Sequence, residues 1–428
     1  MHGKIEDTRD FWMRLDNAAK IYPAIKDREL TSVFRISADL KERIKAKQLL
    51  DAVHALEERF PYYKVTLKAG FFWYYLQPED LPITVIPDHE FPCRAFAKHE
   101  LMFRMLAKEK RISVEFSHIL TDGTGAFEFL RSLVLVYLEK CGLKISSSIA
   151  FHHPAEIPAK EEYEDAYNRY FKKIDARPPK VAKAFHVPFP LNRTPRFYVL
   201  TAIIPIDSII KKAKEYEVSL TEYLIAVYLY SLQLIYEQQS PFRKRTANKV
   251  LRVEVPVNLR KMFPSRTMRN FSLYVMPGID LRLGQYSFDE IIKTVYHQMQ
   301  LETDKKLISK MISRNVSGEK NPAVRGLPLF IKSFFLSRLY ALGTRQYSGV
   351  VTNLGRIDLG VEANSMIDKF IFIPPPPNKI LKVNCAVAGF DNKLVVTFGN
   401  ITTSKELERQ FFSFLTAQGI PVKLVHSY

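Results

Sequence analysis

From Arg111 to His118 apolar and polar residues alternate, with Ile112, Val114, Phe116 and His118 on one face and Ser113, Glu115 and Ser117 on the other. A period of two predicts a half-buried strand, and its apolar face ends in an imidazole. After Gly123 the spacing changes. Ala126, Phe127, Phe129, Leu130, Leu133, Val134, Val136 and Leu138 have the density of a largely buried helix. Asp122 stands where an N-cap accepts backbone N–H groups. A strand–turn–helix unit follows, with His118-Ile119-Leu120-Thr121-Asp122-Gly123 at its bend.

The same reading predicts a strand over 31–36 and a helix over 40–60 that stops at Pro61. In the second half it predicts strands over 198–204 and 250–257, and helices over 206–216, 219–236, 288–305 and 327–342. Residues 382–388 and 393–398 predict a strand pair joined at Asp391-Asn392, and Pro374 to Pro377 interrupts any regular element. The continuous run Phe71-Phe72-Trp73-Tyr74-Tyr75 reads first as an aromatic strand packed in a core, with a ligand surface as the alternative. Pro and Lys concentrate in 172–195, a composition that favours an extended connector. The predicted organisation is a first domain over 1–175, a linker over 176–196 and a second domain over 197–428. Strands and helices are mixed without regular βα alternation, which makes the fold class α/β (α+β) with mixed sheets rather than a doubly wound sheet.

Composition narrows the class. The 428 residues are 47% hydrophobic and 12% aromatic, enough for two globular cores and unlike a disordered chain. No apolar run reaches the ~20 residues needed to cross a bilayer. The first residues, with Glu6, Asp7 and Asp10 soon after Lys4, lack a signal-peptide core, so cytoplasmic residence is the expectation. Cys93, Cys141 and Cys385 are widely spaced and have no partners at metal-ligand spacing, so no metal site is expected. The net charge is +18 and clustered. Nine Lys or Arg residues lie between Arg243 and Arg269 with Glu254 as the sole acid, and a second concentration runs from Lys305 to Arg345. Such surfaces attract the phosphates of a co-substrate, an acidic carrier protein or the head groups of an anionic membrane in peripheral contact; nucleic acid is not expected.

His118 is the base candidate, because imidazole with an unperturbed pKa of ~6.5 can take a proton near neutrality. Asp122 reads as support for the turn rather than as a relay partner. Other segments fall in a telling order around this motif: Arg14-Leu15-Asp16-Asn17-Ala18-Ala19, Phe60-Pro61-Tyr62-Tyr63, Val255-Pro256-Val257-Asn258-Leu259-Arg260, Asn270-Phe271 and Val351-Thr352-Asn353-Leu354-Gly355. With His-x-x-x-Asp-Gly they resemble the acyltransferase superfamily that includes chloramphenicol acetyltransferase, plant BAHD acyltransferases, condensation domains of peptide synthetases, alcohol acetyltransferases and wax ester synthases. Two departures stand out. Ser117 precedes His118 where many members have a second His, and no Asp-Phe-Gly-Trp-Gly segment is present, which argues against a plant-type enzyme.

The resemblance implies two chloramphenicol-acetyltransferase-like sandwich domains, arranged as a V-shaped pseudo-dimer with an interdomain tunnel. It also implies acyl transfer from acyl-CoA, a co-substrate and not a resident cofactor, to a hydroxyl or amine on a small-molecule acceptor. In that reading His118 is the general base, Arg260 pairs with Asp122, and Gly123 allows close approach of backbone at the tunnel. Asn270, Thr352 and Asn353 are the oxyanion candidates. The alternatives are a condensation-type enzyme whose donor is carried on a carrier protein, and a non-catalytic binding module of the same fold.

Overall fold

The computed structural model describes residues 12–25, 31–89, 91–174, 180–193 and 197–426. Lys4, Glu6, Asp7 and Asp10, used above, lie outside them, as do residues 175–179 and 194–196 of the connector. In the first half the main elements are β1 (Val33–Leu40), α1 (Ala46–Glu57), β2 (Val65–Ala69), β3 (Tyr74–Pro78), β4 (Val85–Pro87), β5 (Phe103–Lys108), β6 (Arg111–Ser117) and α2 (Gly123–Lys140). The second half begins with β7 (Tyr198–Pro205), α3 (Ile206–Glu215), α4 (Leu220–Glu237), β8 (Val250–Asn258), β9 (Ser272–Val275) and β10 (Gly278–Asp280). It continues with α5 (Phe288–Glu302), α6 (Lys305–Lys320), α7 (Leu329–Thr344), β11 (Gly349–Ile357), β12 (Ile367–Ile373), β13 (Val383–Phe390), β14 (Lys393–Asn400), α8 (Glu406–Ala417) and β15 (Lys423–His426).

Two large mixed sheets carry the fold. The second runs β9-β8-β11-β13-β14-β7-β15, with β10 also on β8, and packs α4 and α8 over a core of its own. The first runs β12-β1-β6-β5-β4 beneath α1 and α2. Its edge strand β12 comes from late in the chain and pairs antiparallel with β1, Phe370 opposite Ala38. The 176–196 connector therefore does not mark the limit of the first sheet, which takes 367–373 from the second segment. The connector is itself extended but packed: Phe185 and Val187 are buried, and Lys382 Nζ donates to the carbonyls of Val187 and Phe189 at 2.9 Å.

Several expectations change for local reasons. β6 is buried on both faces apart from Arg111, not half-buried. Its polar face meets the second lobe, where Val33, Cys93, Ile371 and Ile373 pack against Val199 and Val395. The polar groups there are satisfied in pairs: Arg35 Nε donates to Glu115 Oε1 at 2.8 Å, and the hydroxyls of Ser37 and Ser113 lie 2.8 Å apart. The helix expected over 40–60 starts only at Ala46, because 37–40 remain paired between β6 and β12 and Asp39 binds both Arg111 and Lys369.

The helix expected to run to 305 ends at Glu302. Asp304 then caps α6, accepting from the amides of Lys306 and Leu307. The aromatic run at 71–75 is not a buried strand. Gly70 N donates to Trp73 O at 2.9 Å and closes a turn before β3, leaving Phe71 71% exposed. No single described helix is long and apolar enough to cross a membrane.

Glu115 is fully buried between Arg35 and Arg104, and Asp88 is the second acid on Arg35, so removing the Glu115 carboxylate leaves two arginines and the Cys93 amide to share one remaining buried carboxylate. Glu115→Ala is expected to lower the free energy of unfolding by about 3–5 kcal/mol in urea titrations, the range for a broken buried pair.

Candidate active site

His118 sits one residue past the end of β6. Its amide donates to Ser32 O at 2.9 Å, and its carbonyl accepts from Asn270 Nδ2 at 2.9 Å, so strand pairing on one side and the second lobe on the other fix its backbone. The ring stacks on Tyr22 with centroids 5.2 Å apart and lies against Phe34 at 4.6 Å. Nδ1 is buried without a hydrogen-bond partner among the described residues, while the residue as a whole keeps some exposure. The accessible part of the side chain is thus not Nδ1. Burial pushes the imidazole pKa below its ordinary value, and the nearby Asp122 carboxylate opposes that only in part. Near neutral pH the ring is held unprotonated, the state a base requires.

Asp122 does not touch that ring. Oδ1 accepts from the amides of Thr124 and Gly125, both at 3.1 Å, and so caps α2. Oδ2 accepts from Phe271 N at 2.8 Å and from Arg260 Nη1 at 2.9 Å, while Arg260 Nη2 reaches Oδ1 at 3.2 Å. Burial alone would raise this carboxyl's pKa; the Arg260 charge and hydrogen bonds and the two backbone donors bring it below the ordinary value. Arg260 is held in turn by the carbonyls of Thr267 and Arg269. One carboxylate therefore joins the helix start in the first lobe to two segments of the second.

The remaining residues singled out in the sequence divide. Asn270 is buried beside His118, but both N–H groups of its amide are engaged, one with the His118 carbonyl and one with Asp16 Oδ2 at 3.1 Å. It has no donor left for an oxyanion and instead ties the His118 backbone to Asp16. Asn353 turns away: Nδ2 donates to Thr221 Oγ1 at 3.0 Å, and Oδ1 accepts from Gly355 N. Thr352 stays available. Its hydroxyl has no hydrogen-bond partner among the described residues, and it shares a strand face with Leu354, which lies against Gly123.

Gly123 is approached by side chains and not by backbone: a Cβ there would lie 3.2 Å from Leu354 Cδ2 and 3.6 Å from Phe372 Cζ. The close backbone approach belongs to Gly125, where a Cβ would fall 2.3 Å from Met268 O and 2.2 Å from Thr121 Oγ1.

Three contributors were not identified from the sequence as parts of a site. Tyr22 covers one face of the imidazole. Asp16 is buried, caps Ala19 N at 2.8 Å and anchors Asn270; burial, against the Arg269 charge, pushes its pKa up to about 6. Glu254, noticed only as the sole acid in a basic stretch, is pushed up to about 7 by burial, with Tyr347 hydrogen-bonded to it. Its charge also reaches the Tyr22 phenol. Nothing in a periodicity reading brings 16, 22 and 254 together; only the lone acid among nine cations was a signal. Two surface clefts, one along α3 and one lined by Glu128, Arg131 and His152, lie apart from this cluster.

The arrangement places a neutral imidazole at a seam between two lobes built on mixed sheets flanked by helices, a fold shared with solved condensation domains and trichothecene acetyltransferase structures. No family model and no curated protein matches the chain. Among solved structures, TRI101 of F. graminearum, complexed with coenzyme A and T-2 mycotoxin, superposes with a TM-score of 0.61 at 9% identity, over 97% of this chain and 99% of that one. The first condensation domain of the calcium-dependent antibiotic synthetase gives 0.59 at 15% identity, over 97% of this chain and 100% of its own. Polyketide synthase associated protein 5 from Mycobacterium tuberculosis gives 0.59 at 13%, over 94% and 97%. At these identities the likeness is one of fold.

The two glycines give a direct check on the seam. Gly125→Ala must displace backbone at Met268 and is expected to lower the thermal midpoint markedly, whereas Gly123→Ala meets only the movable ends of Leu354 and Phe372. Differential scanning fluorimetry of the two variants should rank Gly125→Ala well below Gly123→Ala.

Proposed function

We propose that the protein transfers an acyl group from acyl-CoA to a hydroxyl or amine of a small-molecule acceptor, with His118 as general base. The observation that carries this reading is the His118 ring: unprotonated near neutrality, sealed at Nδ1, and fixed at the seam by Asn270 and by the turn that Asp122 and Arg260 hold. Its support from outside the chain is the shared fold with TRI101, which binds coenzyme A, and with an acetyltransferase, the trichothecene 15-O-acetyltransferase TRI3 from Fusarium sporotrichioides.

The chemistry is a single displacement. As the acceptor oxygen attacks the thioester carbonyl, His118 Nε2 takes its proton; the C–S bond then breaks and the departing thiolate receives that proton from the imidazolium, giving an ester and a free thiol. Thr352 Oγ is the side chain offered to the negative charge on the carbonyl oxygen. Asp122 and Arg260 aim the ring and take no proton. Glu254, its pKa pushed up to about 7 by burial, is a second polar group near Tyr22 for holding an acceptor.

General-base assistance contributes about 10²–10⁴ in rate, so His118→Ala should lower kcat/KM by that factor with the circular dichroism spectrum unchanged. The assay is thiol release from acetyl- and longer acyl-CoA donors against alcohols, amines and phenols. Equal rates in both forms remove His118 from the reaction. Turnover with acyl-carrier protein but not with acyl-CoA selects the condensation-type donor favoured by the condensation-domain neighbours. Binding without turnover of either donor selects a non-catalytic module.

The pH profile follows from the sign of the His118 shift. The protonated imidazole is inactive and its pKa is lowered, so kcat/KM should be flat through neutrality and fall only below the ordinary histidine value of about 6.5.

A further inference from the structure

Helix α7 is built against the usual rule. Its sixteen residues, Leu329 to Thr344, are mainly apolar, yet Lys332 and Thr344 are its buried members. Phe330 is 74% exposed, Leu339 60%, and Phe334, Phe335 and Leu342 56% each. At 3.6 residues per turn these five cover about half the helix circumference, with Arg338 near the middle of the arc. A helix apolar all round is normally enclosed. This one turns its polar and small residues to the protein and its phenylalanines to the outside.

The patch continues beyond the helix. Leu329 N donates to Phe71 O at 2.8 Å, and Lys332 Nζ donates to Phe72 O at 3.0 Å while lying 3.5 Å from the centroid of the Trp73 ring. These bonds hold the β2–β3 turn beside the helix start, where Phe71 is 71% and Phe72 43% exposed. An apolar surface made of two fixed elements is an interaction site rather than scattered surface hydrophobics.

Charge selects the occupant. Between Glu319 and Asp358 the sequence has no acidic residue, while Arg325, Arg338 and Arg345 are all exposed around the helix. The Arg338 guanidinium lies 5.2 Å from the Phe334 ring centroid, a cation seated among apolar side chains. A second copy docked face to face would bring the same cations toward one another. An anionic bilayer supplies both an apolar phase for the phenylalanines and negative charge for the arginines. At about 24 Å the helix is shorter than a membrane span, and its inner side is occupied by protein, so it would lie in the plane of the interface.

We infer that the α7 face, together with the turn at Phe71 and Phe72, is a peripheral docking surface for an anionic lipid bilayer. The same helix packs on the short segment that carries Tyr22, the residue stacked on His118, so docking sets the seam close to the membrane surface. The docking itself does not depend on acyl transfer.

The test is co-flotation of the full chain with vesicles of phosphatidylcholine alone and of phosphatidylcholine with phosphatidylglycerol. Wild type is expected to float with the anionic vesicles, less so at high salt. Phe334→Asp with Leu339→Asp, at exposed positions, should lose binding about tenfold or more, and Arg325→Glu with Arg338→Glu should lose it on anionic vesicles. His118→Ala, floated alongside, should bind as wild type, so a failed transferase assay and a failed docking surface read separately. Wild type that stays unbound while folded overturns the inference, as do Asp variants that bind like wild type. Concentration-dependent self-association abolished by the Asp pair, without vesicle binding, also overturns it and assigns the face to a second copy.

Discussion

The carboxylate of Asp122 accepts five hydrogen bonds, from the Thr124, Gly125 and Phe271 amides and from two nitrogens of Arg260, and the geometry of the candidate site hangs on that convergence. The donors belong to two separate constraints. The first two start a helix whose core face fills the first lobe; the others come from segments that belong to the second lobe. Satisfying one buried anion thus fixes both the turn after His118 and the register of the lobes across the seam. Removing one charged partner of such a pair costs more than the pair contributes, because the other is left without compensation. That asymmetry makes the bridge a fastening and not merely a contact.

Around this fastening the polar groups of the seam are matched in a chain. Asn270 links the His118 carbonyl to Asp16, Asp16 caps its own loop, and Tyr63 and Thr121 hydroxyls both meet the Met268 carbonyl, at 2.8 and 2.5 Å. The 267–271 segment is therefore read from both sides. At His118, Nδ1 is buried without a hydrogen-bond partner among the described residues, and the rings that flank it are aromatic. A buried ring nitrogen without a partner favours the neutral imidazole, the state that the proposed base requires.

Much of this was legible along the chain, and the losses have physical reasons. The strand–turn–helix at 111–140 was readable because a change of period coincides with an N-cap residue, both local features. Arg260 was reachable only through the order of motifs, since no local pattern says that residue 260 meets residue 122. Asn270 and Asn353 were found by type and position, but which partners occupy an amide is decided by tertiary neighbours that sequence spacing does not contain. The polar face of β6 looked solvent-facing because periodicity distinguishes two faces without saying what lies beyond either; a second lobe lies there. The 71–75 run looked buried because aromatic residues usually are, and the turn at Gly70 reversed that. β12 crossing into the first sheet is a long-range pairing of 367–373 with 33–40, invisible to any window along the chain.

The most direct test of the account is a double-mutant cycle on Asp122 and Arg260 read in kcat/KM, with Asp122→Asn, Arg260→Gln and the pair together. If the bridge acts by aiming His118, either single change already loses the aim, and the double variant should be little worse than the more damaging single, with a coupling of about 1–3 kcal/mol. Independent effects that multiply in the double variant, with coupling near zero, would contradict it.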